Sequence, residues 1–224
     1  MAHRFQPNAY GRSAAVAVPT QSLLGQVLGI TAIGLAISAL AIYLFRDNIP
    51  VTVSWIALIG GFVMLFAING TRANPGLSLG LFYGFTFLEG IGITPIVSYY
   101  LHVAPDAVYN AAITTGAGMF VLGAIVYATG LDLRRFQGIL MIALLGLIVV
   151  GVISLFFHFI SPTTYSWITL AIFTGFTLID FARIRAGGDG LTPVQMATSI
   201  YLDLVNIFLA LLQIFGNSGG RSRN

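Results

Sequence analysis

Long apolar blocks, separated by a few polar residues each, fill the chain near residues 22–45, 51–69, 77–101, 107–129, 136–158, 163–183 and 193–216. A helix needs about 20 mostly apolar residues to cross the hydrocarbon core of a bilayer, so the pattern predicts seven crossings and an all-α membrane protein. The blocks leave a polar N-terminal tail over 1–20, a seven-helix domain over 21–217 and a short C-terminal tail over 218–224. The N-terminal tail lacks the short apolar core and cleavage site of a signal peptide, so the first helix is expected to remain as an anchor.

The breaks between blocks carry helix-boundary chemistry. "TRANPG" (71–76) and "AGGDGLTP" (186–193) read as turns, because Gly and Pro interrupt helices and Asn, Asp and Thr cap them. In the second, Thr192, Pro193 and Gln195 stand at N-cap, N1 and N3, a capping-box pattern that starts the seventh helix. Gly76, Gly80 and Gly84 recur every four residues and read as a small-residue packing face of the third helix. Pro95 falls inside that helix, where it removes a backbone donor.

Composition agrees with this setting. The 224 residues are 57% hydrophobic and only 8% charged, with a mean hydropathy of +0.92, too little polar surface to cover a soluble globule. The basic residues are all arginine, and a net charge of +3 spread over short loops makes no nucleic-acid patch. Without lysine there is no Schiff base for a retinal protein. Without cysteine there is no disulfide or thiolate metal site, and His102 and His158 fall at helix ends without metal-ligand spacing. No phosphate-binding loop, nucleophile elbow or metalloprotease motif is present, so no enzymatic reaction and no cofactor are expected. Arg4, Arg12, Arg72, Arg134, Arg135, Arg183 and Arg185 fall on one side of the seven crossings, and Arg46, Arg221 and Arg223 on the other. Positive charge favours the cytoplasmic side, so the N-terminus is expected inside and the C-terminus outside; in a bacterium this means the inner membrane, and a eukaryotic organelle would read the same way.

The seventh block has a polar face. Gln195, Ser199, Asp203, Asn206, Ala210, Gln213 and Asn217 follow one another at steps of three or four and share one side of a helix. Such a helix is expected inside a bundle or along a hydrated path. Asn206 and Gln213 read equally as interhelical glue or as path lining. Asp203 differs, because a carboxylate at the centre of a spanning helix costs at least ~2.5 kcal/mol. The other acids at membrane depth are Glu89 in the third block and Asp180 near the end of the sixth. A short loop joins the sixth and seventh helices, so Asp180 can meet Asp203; two adjoining carboxylates would then share a proton and titrate as a pair. In the competing arrangement Asp180 pairs with the nearby Arg183. Glu89 reads either as a functional acid facing the bundle interior or as a neutral packing residue.

"ATSIYLDLVNIFLALLQIFG" (197–216) resembles the terminal-helix signature of the transmembrane Bax-inhibitor-motif family, "LIDFARI" (178–184) resembles its sixth-helix aspartate element, and "FTFLEGIGITPIVSYY" (85–100) its third helix. The resemblance spans all seven blocks. It implies a central seventh helix wrapped by two layers of three helices, and Asp180 and Asp203 as a proton-sharing dyad gating a pH-sensitive calcium leak. Calcium takes about six to eight oxygen ligands, so Asp180 and Asp203 with neighbouring amide, carbonyl and water oxygens would make a weak, transient calcium site. With its proton the dyad would hold the path closed; losing it would add repulsion and attract the cation.

One position departs from the pattern. Family members that leak calcium pair a second-helix glutamate with an arginine, and the resemblance puts Arg72 on the arginine but Gly61 on the glutamate. Glu89 is a candidate substitute, in an "LEG" context similar to a bacterial branch associated with membrane proteases. The expectation is therefore a passive calcium leak in the lipid bilayer, with calcium and protons as its small partners. The alternative is a non-conducting regulator of a membrane protease or of another membrane protein in a stress or cell-death response. A proton-coupled transporter would also use buried carboxylates, and would show transport dependent on a proton gradient.

Overall fold

The computed structural model describes residues 20–47, 49–157 and 159–219. They form seven α-helices: α1 (Thr20–Phe45), α2 (Val51–Gly70), α3 (Pro75–Val103), α4 (Pro105–Thr129), α5 (Gln137–Phe157), α6 (Pro162–Arg185) and α7 (Pro193–Gly219), with a 3-10 turn over Arg134–Phe136 ahead of α5. All seven are long and apolar enough to span a membrane. Their ends fall within three residues of the predicted ones.

Local chemistry accounts for that agreement. Asn74 accepts from the Leu77 amide at 3.2 Å, Ser161 accepts from Thr164 at 3.1 Å, and each is followed by a proline whose missing donor costs nothing in a first turn. At the start of α7 the predicted capping box closes in both directions. The Gln195 amide donates to Thr192 Oγ1 at 3.2 Å, and the Thr192 amide donates to Gln195 Oε1 at 3.0 Å. At the far end of α4, Gly130 takes a left-handed φ of 72°, and Arg185 donates to the carbonyls of Val126 (2.6 Å) and Gly130 (2.8 Å). That satisfies acceptors which a helix end otherwise leaves open.

The helix α7 is the centre of the bundle: no residue from Val194 to Gly216 is exposed. It packs against α1, α3, α4 and α6. α3 also packs against α2 and α1, and α6 against α4 and α5, so α2 and α5 pack mainly on the outer helices, α2 reaching α7 through the Gln195–Asn69 hydrogen bond. α5 illustrates the other extreme: among its described residues Leu147 is the one fully buried, and most of the rest are exposed. An all-apolar helix at the edge suits lipid, whereas a helix with a carboxylate does not.

One packing expectation fails. Gly76 and Gly80 are exposed, and a methyl group added at either would meet no other helix; of the three glycines only Gly84 is close to a neighbour, Met64 of α2. The tight contact of α3 lies further along, where Gly90 faces the backbone of Ser38 on α1. Spacing alone locates a small-residue face without saying which helix covers it.

Candidate functional site

Five residues before its end, α6 carries Asp180, and three residues later Arg183, which places both on one face. Arg183 donates to Asp180 Oδ1 at 2.5 Å and to Gln137 Oε1, from the start of α5, at 2.8 Å. Asp180 and Arg183 are 6% and 8% exposed, so this ion pair is buried. Across from it, α7 presents Ser199, whose hydroxyl hydrogen-bonds to Asp180, and Asp203, which is 3% exposed. Asp180 and Arg183 are the charged groups facing Asp203, and the Thr177 hydroxyl adjoins it. The Thr177 hydroxyl also lies 2.8 Å from the Phe173 carbonyl and 3.7 Å from Met119 Sδ, two further acceptors for its single proton. Asp203 Oδ2 is buried without a hydrogen-bond partner.

The sequence offered two arrangements for Asp180, a meeting with Asp203 or a pairing with Arg183. The structure contains the ion pair, with Asp203 on the neighbouring helix within electrostatic reach of it.

The remaining polar face of α7 continues from this cluster toward the opposite end. Asn206 and Gln213 are partly buried and donate through their amide nitrogens to carbonyls of their own helix, Leu202 at 2.8 Å and Leu209 at 3.2 Å. Their side-chain oxygens are thereby turned away from the donor-seeking backbone. Gln213 lines a cavity of about 690 Å³ with Trp55, Ser154 and Tyr165, between α2, α5 and α6. Gln195, at the start of the same face, donates to Asn69 of α2 at 2.9 Å.

Arg72 and Glu89 lie apart from this cluster and from each other. Arg72 is exposed in the α2–α3 loop and makes no ion pair among the described residues. Glu89 lies fourteen residues beyond Pro75 in α3, about 21 Å along the axis. Its carboxylate is near Gly61 of α2: a methyl group added at Gly61 would lie 3.8 Å from Glu89 Oε2. The position where a glutamate was expected is thus empty of side chain, and a carboxylate from α3 lies beside it. His102 is exposed and bonded to the Ser98 carbonyl at 2.7 Å, while His158 lies outside the described residues. Among the described residues no three His, Asp or Glu side chains converge as a metal site.

Sequence reasoning did not find Gln137, Thr177 or Asp189. Asp189 sits in the α6–α7 loop at a φ of 52°, between glycines at 95° and 79°, a left-handed conformation that Asp tolerates better than most residues. The loop thereby sets Asp189 against Arg134 at 2.7 Å, with Arg183 Nε at 3.9 Å. Arg134 also binds Asp132 at 2.7 Å, and that hydrogen bond holds the Asp132 carboxyl down to about 2. The run of turn residues at 186–193 was the only signal of this arrangement.

A bundle of seven spanning helices around a central helix with a buried carboxylate defines a multi-pass membrane protein with an ionisable interior. The chain belongs to the family described as "Inhibitor of apoptosis-promoting Bax1", whose profile matches residues 20–220. It is 29% identical over 213 residues to an uncharacterized membrane protein of Streptococcus pyogenes serotype M1, covering 88% of this chain and 90% of the relative. It is 29% identical over 191 residues to a protein of Campylobacter jejuni (83% and 80% covered) and 28% identical over 215 residues to one of Borreliella burgdorferi (86% and 90%).

Proposed function

We propose that this protein is a pH-sensitive passive leak for calcium, with Asp180 and Asp203 as its proton-sharing gate. The observation that carries this reading is Asp203: buried on the central helix, with one oxygen unpartnered, beside a second carboxylate and a single guanidinium that both must share. A buried unpartnered carboxylate oxygen is costly and calls for a proton or a cation. With a proton on Asp203, the lone pairs of Thr177 become its acceptor and the cluster is neutral and closed. Without it, two carboxylates repel one another and attract a divalent cation, to which the oxygens of Asn206 and Gln213 supply further weak ligands. Binding of this strength permits passage, and no catalytic cycle is involved. Glu89 is a second ion-facing acid in this scheme, and Arg72 a cation at the arginine-rich end. That end faces the cytoplasm of a bacterial inner membrane by the distribution of positive charge.

The test is calcium flux into dye-loaded proteoliposomes between pH 6 and 8. The wild type should leak more as pH rises, with a midpoint in that window. Asp203→Asn, which cannot lose a proton, should stay closed throughout, and Asp180→Asn should lose the midpoint. A folded wild type that carries no calcium at any pH would instead favour the non-conducting regulator of a membrane protease or other membrane protein, to be sought as a copurifying partner.

A further inference from the structure

Residues 201 and 203 of a helix point about 200° apart, so the residue two before Asp203 faces the other half of the bundle. That residue is Tyr201, fully buried and set edge-on against Phe82 (5.9 Å between centroids) and Phe85 (5.5 Å) of α3. Its hydroxyl is 2.6 Å from Ser38 Oγ on α1, and Ser38 Oγ is 2.7 Å from the Thr86 carbonyl on α3. A serine has one proton, and the short contact to a carbonyl takes it. Tyr201 therefore donates to Ser38, and Ser38 donates to Thr86, a directed chain joining α7, α1 and α3. Glycines place the hub: a methyl group at Gly90 would lie 2.6 Å from the Ser38 carbonyl oxygen, and one at Gly34 would lie 2.9 Å from Phe82 and Thr86. The two backbones meet at Ser38, whose Oγ also lies 3.1 Å from the Gly34 carbonyl of its own helix, a longer contact than the one to Thr86.

We infer that Tyr201 is a positioning residue, whose hydrogen bond through Ser38 to Thr86 pins α7 in the closed register and so holds Asp203 against Asp180. Its functional half rests on the leak reading above; its mechanical half does not. Tyr201→Phe removes only the hydroxyl and keeps both ring contacts, Ser38→Ala removes the hub, and the two combined remove the chain. A net hydrogen bond is worth about a three- to tenfold change in an equilibrium. Hydrogen–deuterium exchange of α7 amides over 197–207 should therefore speed up about three- to tenfold in either single variant, and no further in the double. Calcium flux at pH 6 should rise by a similar factor with the unfolding temperature within a few degrees of wild type, a gain that mere loss of fold would not produce. Faster exchange with no calcium flux in any variant would uphold the pin and dismiss the leak. Exchange at the wild-type rate in Tyr201→Phe, or effects that multiply in the double variant, would overturn the pin.

Discussion

Two arginines in this protein sit among aspartates and both reach Asp189, with opposite consequences. Arg134 sits at a loop end between Asp132 and Asp189, each partly exposed, and binds both at 2.7 Å. Arg183 sits inside the bundle, binds Asp180 and Gln137, and leaves Asp203 with an oxygen that nothing answers. At the loop, water absorbs the excess negative charge, and the pairs are worth little to stability. Within the bundle there is no such medium, so the unpartnered oxygen of Asp203 carries a desolvation cost that a proton or a cation would relieve. Charge stoichiometry alone does not make a site; burial of one unanswered carboxylate does.

The comparison can be broken most forcefully at Arg183. Arg183→Gln leaves Asp180 and Asp203 buried with no cation between them, and removing one partner of a buried pair costs about 3 kcal/mol or more. Thermal unfolding in detergent should show a loss of this size. Asp203→Asn sharpens the contrast in the other direction: it removes the unpartnered carboxylate and supplies an amide donor to Asp180. Stability at pH 8 should rise by about 1 kcal/mol while the pH response of the proposed leak disappears, the exchange of function for stability that the proposal expects at this site. Smallest is the effect of Arg134→Gln. The Asp132 carboxyl is depressed from 3.8 to about 2 in the folded protein, chiefly by its hydrogen bond from Arg134. A depressed carboxyl stabilises fully above its unfolded value and ceases to do so as pH falls toward the folded one. The difference in unfolding temperature between wild type and Arg134→Gln should thus be constant from pH 6 to 8 and should shrink only below about pH 4.

How much of this was legible beforehand follows the range of each interaction. Helix ends were readable because their determinants are local: Asn74 with Pro75, Ser161 with Pro162, and the Thr192–Gln195 box act within four residues. The interior position of α7 was readable because a polar stripe and a carboxylate cannot face lipid. The short loop let the sequence place Asp203 within reach of Asp180, but the Asp180–Arg183 pair was left as one of two alternatives, because an i+3 spacing permits a pair without requiring one. Gln137 and Thr177 reach the cluster through packing between helices that no local pattern encodes. The same applies to the glycines. A regular spacing drew attention to Gly76 and Gly80, whereas the contacts that bring α1 and α3 together are at Gly34 and Gly90, chosen by which helix lies opposite. Gly61 read as a missing glutamate, and only its position beside Glu89 gives that vacancy a context.

The proton on Asp203 is the centre of the account, and infrared difference spectroscopy observes it directly. In membranes of the wild type, raising the pH from 6 to 8 should remove a carbonyl stretch of a buried, protonated carboxylic acid and add a carboxylate band, with a midpoint matching that of calcium flux. In Asp203→Asn that difference signal should vanish. A wild-type spectrum without a titrating acid in this range, or a signal that survives in Asp203→Asn, would contradict the assignment of Asp203 as the proton-held gate.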